Sequence, residues 1–164
     1  RGSQKLTSAF NTKLYGEVAD LGAGWGYLSK EALRLNDKIT RITLFESNYA
    51  AYFASKKNIA DKRATFRWAS VDEIKDLKLR FNHVICNPPF HSGHPKDIGL
   101  LRSFIWHSAR LITRQGSVWM VFVSGVYLES ELKEYFGSVK ILYKDSRYFV
   151  CRLLRPKTKR DAYD

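Results

Sequence analysis

Four consecutive residues, Asn87-Pro88-Pro89-Phe90, combine an amide, two rigid imino acids and an aromatic ring. The Asn87 side-chain oxygen can accept a hydrogen bond from an NH₂ group, and the Pro88 carbonyl can accept another. Consecutive prolines fix φ and remove amide donors, so both acceptors ride on a stiff backbone. Phe90 offers a ring on which a flipped base can stack, worth about 1–3 kcal/mol. Such a corner suits methylation of an exocyclic amine, whose lone pair is delocalised into its ring and must be drawn out and aimed. Orientation of this kind supplies much of the rate without a strong general base.

A second constellation lies upstream, in Asp20-Leu21-Gly22-Ala23-Gly24-Trp25-Gly26. Glycines let the backbone turn sharply and approach a ligand without Cβ clashes. The cluster follows a strand-like segment and opens a helical one, the place where an α/β sheet binds nucleotides. Glu46 ends the next apolar segment, about twenty residues on, where a carboxylate can accept hydrogen bonds from both ribose hydroxyls of a nucleoside. Dinucleotide binders usually show GxGxxG, whereas GxGxG preceded by an acid suits S-adenosylmethionine, with Asp20 near its amino-acid end. Spacing alone leaves a nicotinamide cofactor open; the amine-holding corner decides for S-adenosylmethionine.

The elements that must position these residues follow from periodicity. Gln4 to Leu14 reads as a short helix, Gly16 to Leu21 as a strand, and Tyr27 to Leu35 as a helix. Arg41 to Phe45, Ala64 to Trp68 and Phe81 to Cys86 read as strands, with a helix over Asn48 to Ile59. Asp97 can cap a helix reaching about Thr113, broken by Gly116. Ser117 to Val123 is a strand and Glu129 to Phe136 a helix. Two strands, Val139 to Tyr143 and Tyr148 to Leu154, close the series around the turn Lys144-Asp145-Ser146. Alternating strands and helices predict a mostly parallel sheet covered on both faces. The final tight turn permits only an antiparallel pair. Residues 1–155 are expected to form one domain and 156–164 a basic tail.

The chain has 164 residues and a net charge of +12, which favours a polyanionic partner through counterion release. Positive charge gathers at Lys56-Lys57, Lys62-Arg63, Lys75 to Arg80 and Arg152 to Arg160. No apolar run approaches the roughly 20 residues of a membrane span, and no membrane partner is expected. Four scattered histidines and two isolated cysteines show no metal-ligand spacing. Two lone thiols suit a reducing cytosol, so a cytoplasmic location is expected. A start at Arg1 rather than Met suggests a piece of something longer.

The sequence resembles the small-domain class I methyltransferases, especially the ribosomal RNA guanine-N2 methyltransferases of the RsmC/RlmG kind. The resemblance rests on Gly2-Ser3-Gln4, Asp20 to Gly26, Glu46, Ala69-Ser70, Phe81 to Gly93 and Tyr148-Phe149-Val150, and spans roughly residues 2 to 155. It implies a Rossmann-like, seven-stranded, mostly parallel sheet with the last strand antiparallel and helices on both faces. It also implies S-adenosylmethionine against Asp20, Gly22, Ala23, Gly24, Gly26 and Glu46, with Ser70 and Val71 near the adenine. The target amine would meet Asn87, Pro88, Pro89 and Phe90, and the partner would be ribosomal RNA or a ribosomal subunit. Adenine-N6 and glutamine-N5 methyltransferases share the Asn-Pro-Pro corner, often with Tyr as the aromatic; His91-Ser92-Gly93 favours the guanine-N2 branch. That family often carries a second N-terminal domain that helps bind RNA, and no segment here is expected to form one. Trp25 stands where the family more often has a small residue.

Other residues have plainer readings. Cys86 is expected as a buried strand residue rather than a nucleophile; Asp72-Glu73 could help the adenine site or start the next helix, and the helix start is the favoured reading. Trp68, Trp106 and Trp119 are expected in the core. His91 could contact a phosphate or base, or be satisfied by backbone. Lys157 to Arg160 could be a solvated tail or an extension that touches RNA. A third functional class, an RNA-binding module without catalysis, would keep the fold and the charge alone.

Overall fold

A computed structural model describes residues 1–90, 95–125 and 129–157 (backbone only at 95 and 96). The strands are β1 (Gly16–Leu21), β2 (Ile39–Glu46), β3 (Ala64–Trp68), β4 (Phe81–Cys86), β5 (Ile112–Val123), β6 (Phe136–Lys144) and β7 (Tyr148–Pro156). They form one sheet in the order β3-β2-β1-β4-β5-β7-β6. Neighbours from β3 to β5 pair in parallel, and β7 runs antiparallel to both β5 and β6. The antiparallel strand is therefore inserted one place in from the edge, completing the expected mostly parallel, seven-stranded sheet.

Helices α1 (Gly2–Phe10), α2 (Tyr27–Leu35) and α3 (Tyr49–Asn58) accompany the first half of the chain. Leu6 and Phe10 of α1 and Leu28, Ala32 and Leu33 of α2 pack with Val18, Ile42, Ile85 and Trp119 of the sheet. Helix α4 (Pro95–Leu111) packs with Ala19, Val84, Val118 and Met120 through Leu101, Phe104, Ile105 and Ala109. Leu132 of α5 (Glu129–Tyr135) joins the same cluster. Sheet residues alternate between these two clusters because successive strand side chains point to opposite faces. Each fully buried Leu, Ile or Phe contributes roughly 1.5–3 kcal/mol from the area removed from water.

Several boundaries differ from those read in the sequence. Helix α1 stops at Phe10 because Asn11 turns left-handed at φ 36°. Leu14, expected on that helix, is buried in a loop whose amide donates to Asn36 Oδ1 at 2.9 Å. Asp97 lies inside the first turn of α4 rather than capping it, and α4 ends at Leu111. Asp72 and Glu73 lie in a single-turn 3₁₀ helix, Val71–Glu73, that does not continue into an α-helix. Strand β7 runs through Pro156, and Lys157 N–H donates to Tyr135 O. The rest of the expected tail, 158–164, lies outside the described residues.

The three tryptophans expected in the core divide. Trp119 is fully buried, its Nε1 donating to His83 Nδ1 at 3.2 Å. Trp68 is 60% and Trp106 41% exposed. The core expectation fails for these two because Trp68 ends an edge strand and Trp106 lies on the outward side of α4.

Candidate active site

The carboxyl ends of β1, β2 and β4 meet at a cavity of about 370 Å³, within the ~300–1,000 Å³ usual for small-ligand sites. Gly22 and Gly24 form its floor, with φ +69° and +56°. A side chain at Gly24 would sit in open cavity, with no atom within 4 Å of its Cβ. The loop is pinned by its own sheet: the Gly22 and Ala23 amides both donate to Phe45 O, at 2.9 and 3.0 Å.

Glu46 is central to the cavity wall. Its Oε2 accepts from Gly24 N and its Oε1 from Asn48 N, each at 2.7 Å. The carboxylate thus couples the glycine loop to the start of α3, and each oxygen keeps a lone pair for a ligand hydroxyl. Ser70 and Val71 form the next wall. The turn there is held by the Ser70 amide donating to Glu73 Oε2 at 2.6 Å.

Asn87 and Pro89 line the same cavity as Gly22, Gly24 and Glu46. Asn87 is exposed and points away from the core. Its Nδ2 donates to Ser3 Oγ at 2.9 Å, which orients the amide and leaves Oδ1 as the acceptor. Pro88 is buried; with Phe90 it borders an adjoining depression shared with Asn87, Leu101 and Tyr148. All four corner residues therefore reach this end of the sheet, on two connected walls.

Three expected cofactor residues do not line the cavity. Ala23 and Gly26 shape the loop from behind, with Gly26 N donating to Ala23 O. Asp20 is wholly buried beneath the loop, its Oδ2 accepting from Ser29 Oγ at 2.6 Å. Its Oδ1 has no partner among the described residues. Burial pushes the Asp20 carboxyl up to about 7; the Glu46 charge adds to the shift and the Ser29 bond opposes it. Trp25 is also off the cavity, more than half exposed, with its ring against Tyr27 and its carbonyl bonded to Asn58 Nδ2.

Sequence reasoning missed Leu100 and Phe104, which cover the cavity from α4, and gave no role to Ser3. Nothing local marks Phe104; only the helical face it shares with Leu101 and Ile105 could have suggested it. Asp72 also lines the cavity and accepts from Ser103 Oγ, with His107 Nε2 at 3.2 Å, tying the turn to α4. Cys86 is buried, its thiol donating to Leu21 O and pushed well above the usual thiol range by burial. His91, Ser92 and Gly93 lie outside the described residues.

A larger cleft, about 730 Å³, opens between β2, β3 and the 73–81 connection, edged by Arg41, Arg67, Lys75, Lys78 and Arg80. It holds neither the glycine loop nor the Asn-Pro-Pro-Phe corner, so the smaller cavity is the candidate site. Among the described residues no group of three His, Cys, Asp or Glu could hold a metal, and no helix is long and apolar enough to cross a membrane.

A family model described as the methyltransferase small domain matches residues 1–152. Ribosomal RNA small subunit methyltransferase C of Erwinia tasmaniensis is 29% identical over 156 residues, covering 95% of this chain and 45% of that protein. The protein of the same name from Hamiltonella defensa is 31% identical over 149 residues, covering 91% and 44%. The chain thus spans under half the length of these relatives. The T. thermophilus 16S rRNA N2 methyltransferase RsmC, solved with AdoMet and guanosine, superposes with a TM-score of 0.81 at 24% identity, over 94% of this chain and 43% of that one.

Proposed function

The chain belongs to the methyltransferase small-domain family, and from that premise we propose that it methylates an exocyclic base amine, guanine N2 of ribosomal RNA, using S-adenosylmethionine. The observation carrying this reading is the shared cavity: Asn87 and Pro89 border the space that Gly22, Gly24 and Glu46 also border.

The residues present fit that cofactor. Gly24 leaves open the volume its side chain would fill. Glu46 offers two carboxylate oxygens to ribose hydroxyls, and Ser70 and Val71 flank the space for a purine. When bound, the cofactor supplies a methyl group on a cationic sulfur.

The corner then does the orienting. Asn87 Oδ1, turned by the Nδ2 bond to Ser3, accepts one amine hydrogen, and the Pro88 carbonyl accepts another. Both bonds favour a pyramidal nitrogen, directing its lone pair out of the base plane. Phe90 holds the base by stacking. The amine, on taking the methyl that the cofactor would supply, would give up one proton to water, since the Asn87 amide that holds it is no base.

Two facts support ribosomal RNA over a protein glutamine, and the N2 and guanosine in the name of the T. thermophilus RsmC complex favour guanine over adenine. The curated relatives are named for small-subunit ribosomal RNA, and the net charge of +12 suits a polyanion. The test is transfer of tritiated methyl to ribosomal RNA or subunits, with nucleoside analysis of the product. N2-methylguanosine is expected, reduced at least ~100-fold in Asn87→Ala, the scale of losing one oriented polar contact at a reacting centre. Tight cofactor binding with no transfer to any nucleic acid would overturn the reading, as would full activity in Asn87→Ala.

A further inference from the structure

Helix α3 buries only Ser55. Its aromatic residues turn outward instead, leaving Tyr49 56% and Phe53 46% exposed. They meet Trp68 from the end of β3: the Tyr49 ring lies 5.0 Å from Trp68 edge-on and 6.2 Å from Phe53 in a stacked pose. Tyr52 supports Tyr49 from behind at 6.2 Å. Trp68 is fixed by its Nε1 donating to Ser47 O at 2.9 Å. Single exposed apolar residues are ordinary on a protein surface, but rings gathered into one patch mark an interaction site.

The patch has a sign and a place. Lys57 Nζ lies 5.0 Å over Phe53 and Lys56 Nζ 5.4 Å over Tyr52, and α3 carries no acidic residue. Ser47 and Asn48, which join Glu46 to α3, line the cavity, so the rings begin where the cavity ends. Flat faces beside ammonium groups fit a polyanion whose bases are unpaired, since a duplex hides the faces of its bases. We propose that Tyr49, Phe53 and Trp68, flanked by Lys56 and Lys57, form a stacking platform for single-stranded RNA next to the methylated nucleotide. The inference rests on the RNA reading of the neighbouring site and adds to it a requirement for an unpaired flanking segment.

The experiment measures binding of a fluorescent mixed-sequence oligoribonucleotide of about 12 residues, single-stranded or as a duplex, by anisotropy. Wild type should prefer the single strand. Tyr49→Ala/Phe53→Ala should weaken that binding roughly 5- to 100-fold, the range for losing base–aromatic stacking. Its S-adenosylmethionine affinity should stay within about twofold. Lys56→Gln/Lys57→Gln, altering only exposed side chains, should flatten the slope of log affinity against log salt by about 0.7 per lysine. If the ring variant fails to fold, as read by circular dichroism, the lysine pair carries the test, and an unchanged slope overturns the proposal. Ring variants that bind single strands like wild type also overturn it, as does a joint loss of cofactor affinity. Unchanged RNA binding together with loss of a wild-type dimer would assign the patch to protein contact instead. Wild type binding no RNA sinks the RNA reading of the site itself, whereas binding indifferent to the rings sinks only the platform.

Discussion

Replacing Asp20 by Asn isolates one buried carboxyl whose ionisation the fold opposes. In the folded chain it holds its proton up to about pH 7, and in the unfolded chain only to about 4. Between those values the native state binds more protons than the unfolded one, so stability falls as pH rises. Each pH unit of the interval corresponds to ~1.36 kcal/mol, giving about 4 kcal/mol lost between pH 4 and pH 7 and no further loss above. Asn is near-isosteric and can still accept from Ser29 Oγ, but it does not titrate. Urea denaturation at steps from about pH 4 to about pH 9 should therefore show the Asp20→Asn advantage over wild type growing by about 4 kcal/mol and then levelling. Distant carboxylates cancel in the difference because well-separated sites add. Only the slope is diagnostic, since a constant offset reports the fit of the amide. A flat difference, or one that shrinks as pH rises, would refute the claim that this carboxyl is desolvated beneath the glycine loop.

Three further outcomes are expected. Gly24→Ala should cost about 1–2 kcal/mol of stability from the left-handed backbone at φ +56°; calorimetry should show S-adenosylmethionine affinity falling further, because the new methyl projects into open cavity. Ser3→Ala should lower kcat about tenfold with cofactor affinity unchanged, and should have little effect in an Asn87→Ala background, as a double-mutant cycle on methyl transfer would reveal. Asp145 is held low, to about 2, by the Tyr143 hydroxyl and by the Arg147 and Tyr148 amides. Its contribution to the β6–β7 turn should be present above about pH 4 and vanish as pH falls toward 2, so the thermal midpoints of wild type and Asp145→Ala should converge in acid.

Much of the scaffold was legible because its signals are local. Strand β1, helix α2, strand β3 and strand β4 begin and end where the apolar runs and the glycine loop place them. The turn Lys144-Asp145-Ser146 announced an antiparallel pair because three residues cannot carry a parallel crossover. Helix α1 was read too long because Leu14 is apolar at helical spacing, yet its amide is satisfied by Asn36, 22 residues away. Trp68 and Trp106 were misread for a similar reason: side-chain type predicts burial only on average, and their positions leave one face uncovered.

By itself, the sequence determined the alternation that builds the sheet, the glycine loop with its acid one strand later, and the rigid amide–proline corner. Each depends on residues adjacent in the chain or on a periodicity that backbone geometry imposes. Tertiary structure alone decided that Asn87 borders the cavity of Gly24 and Glu46, that Ser3 orients its amide, that Phe104 covers the site, and that Asp20 is sealed below it. Those relations join elements through parallel pairing and helix packing. They depend on which strand lies beside which and on what each face then buries, and no short stretch of sequence encodes that.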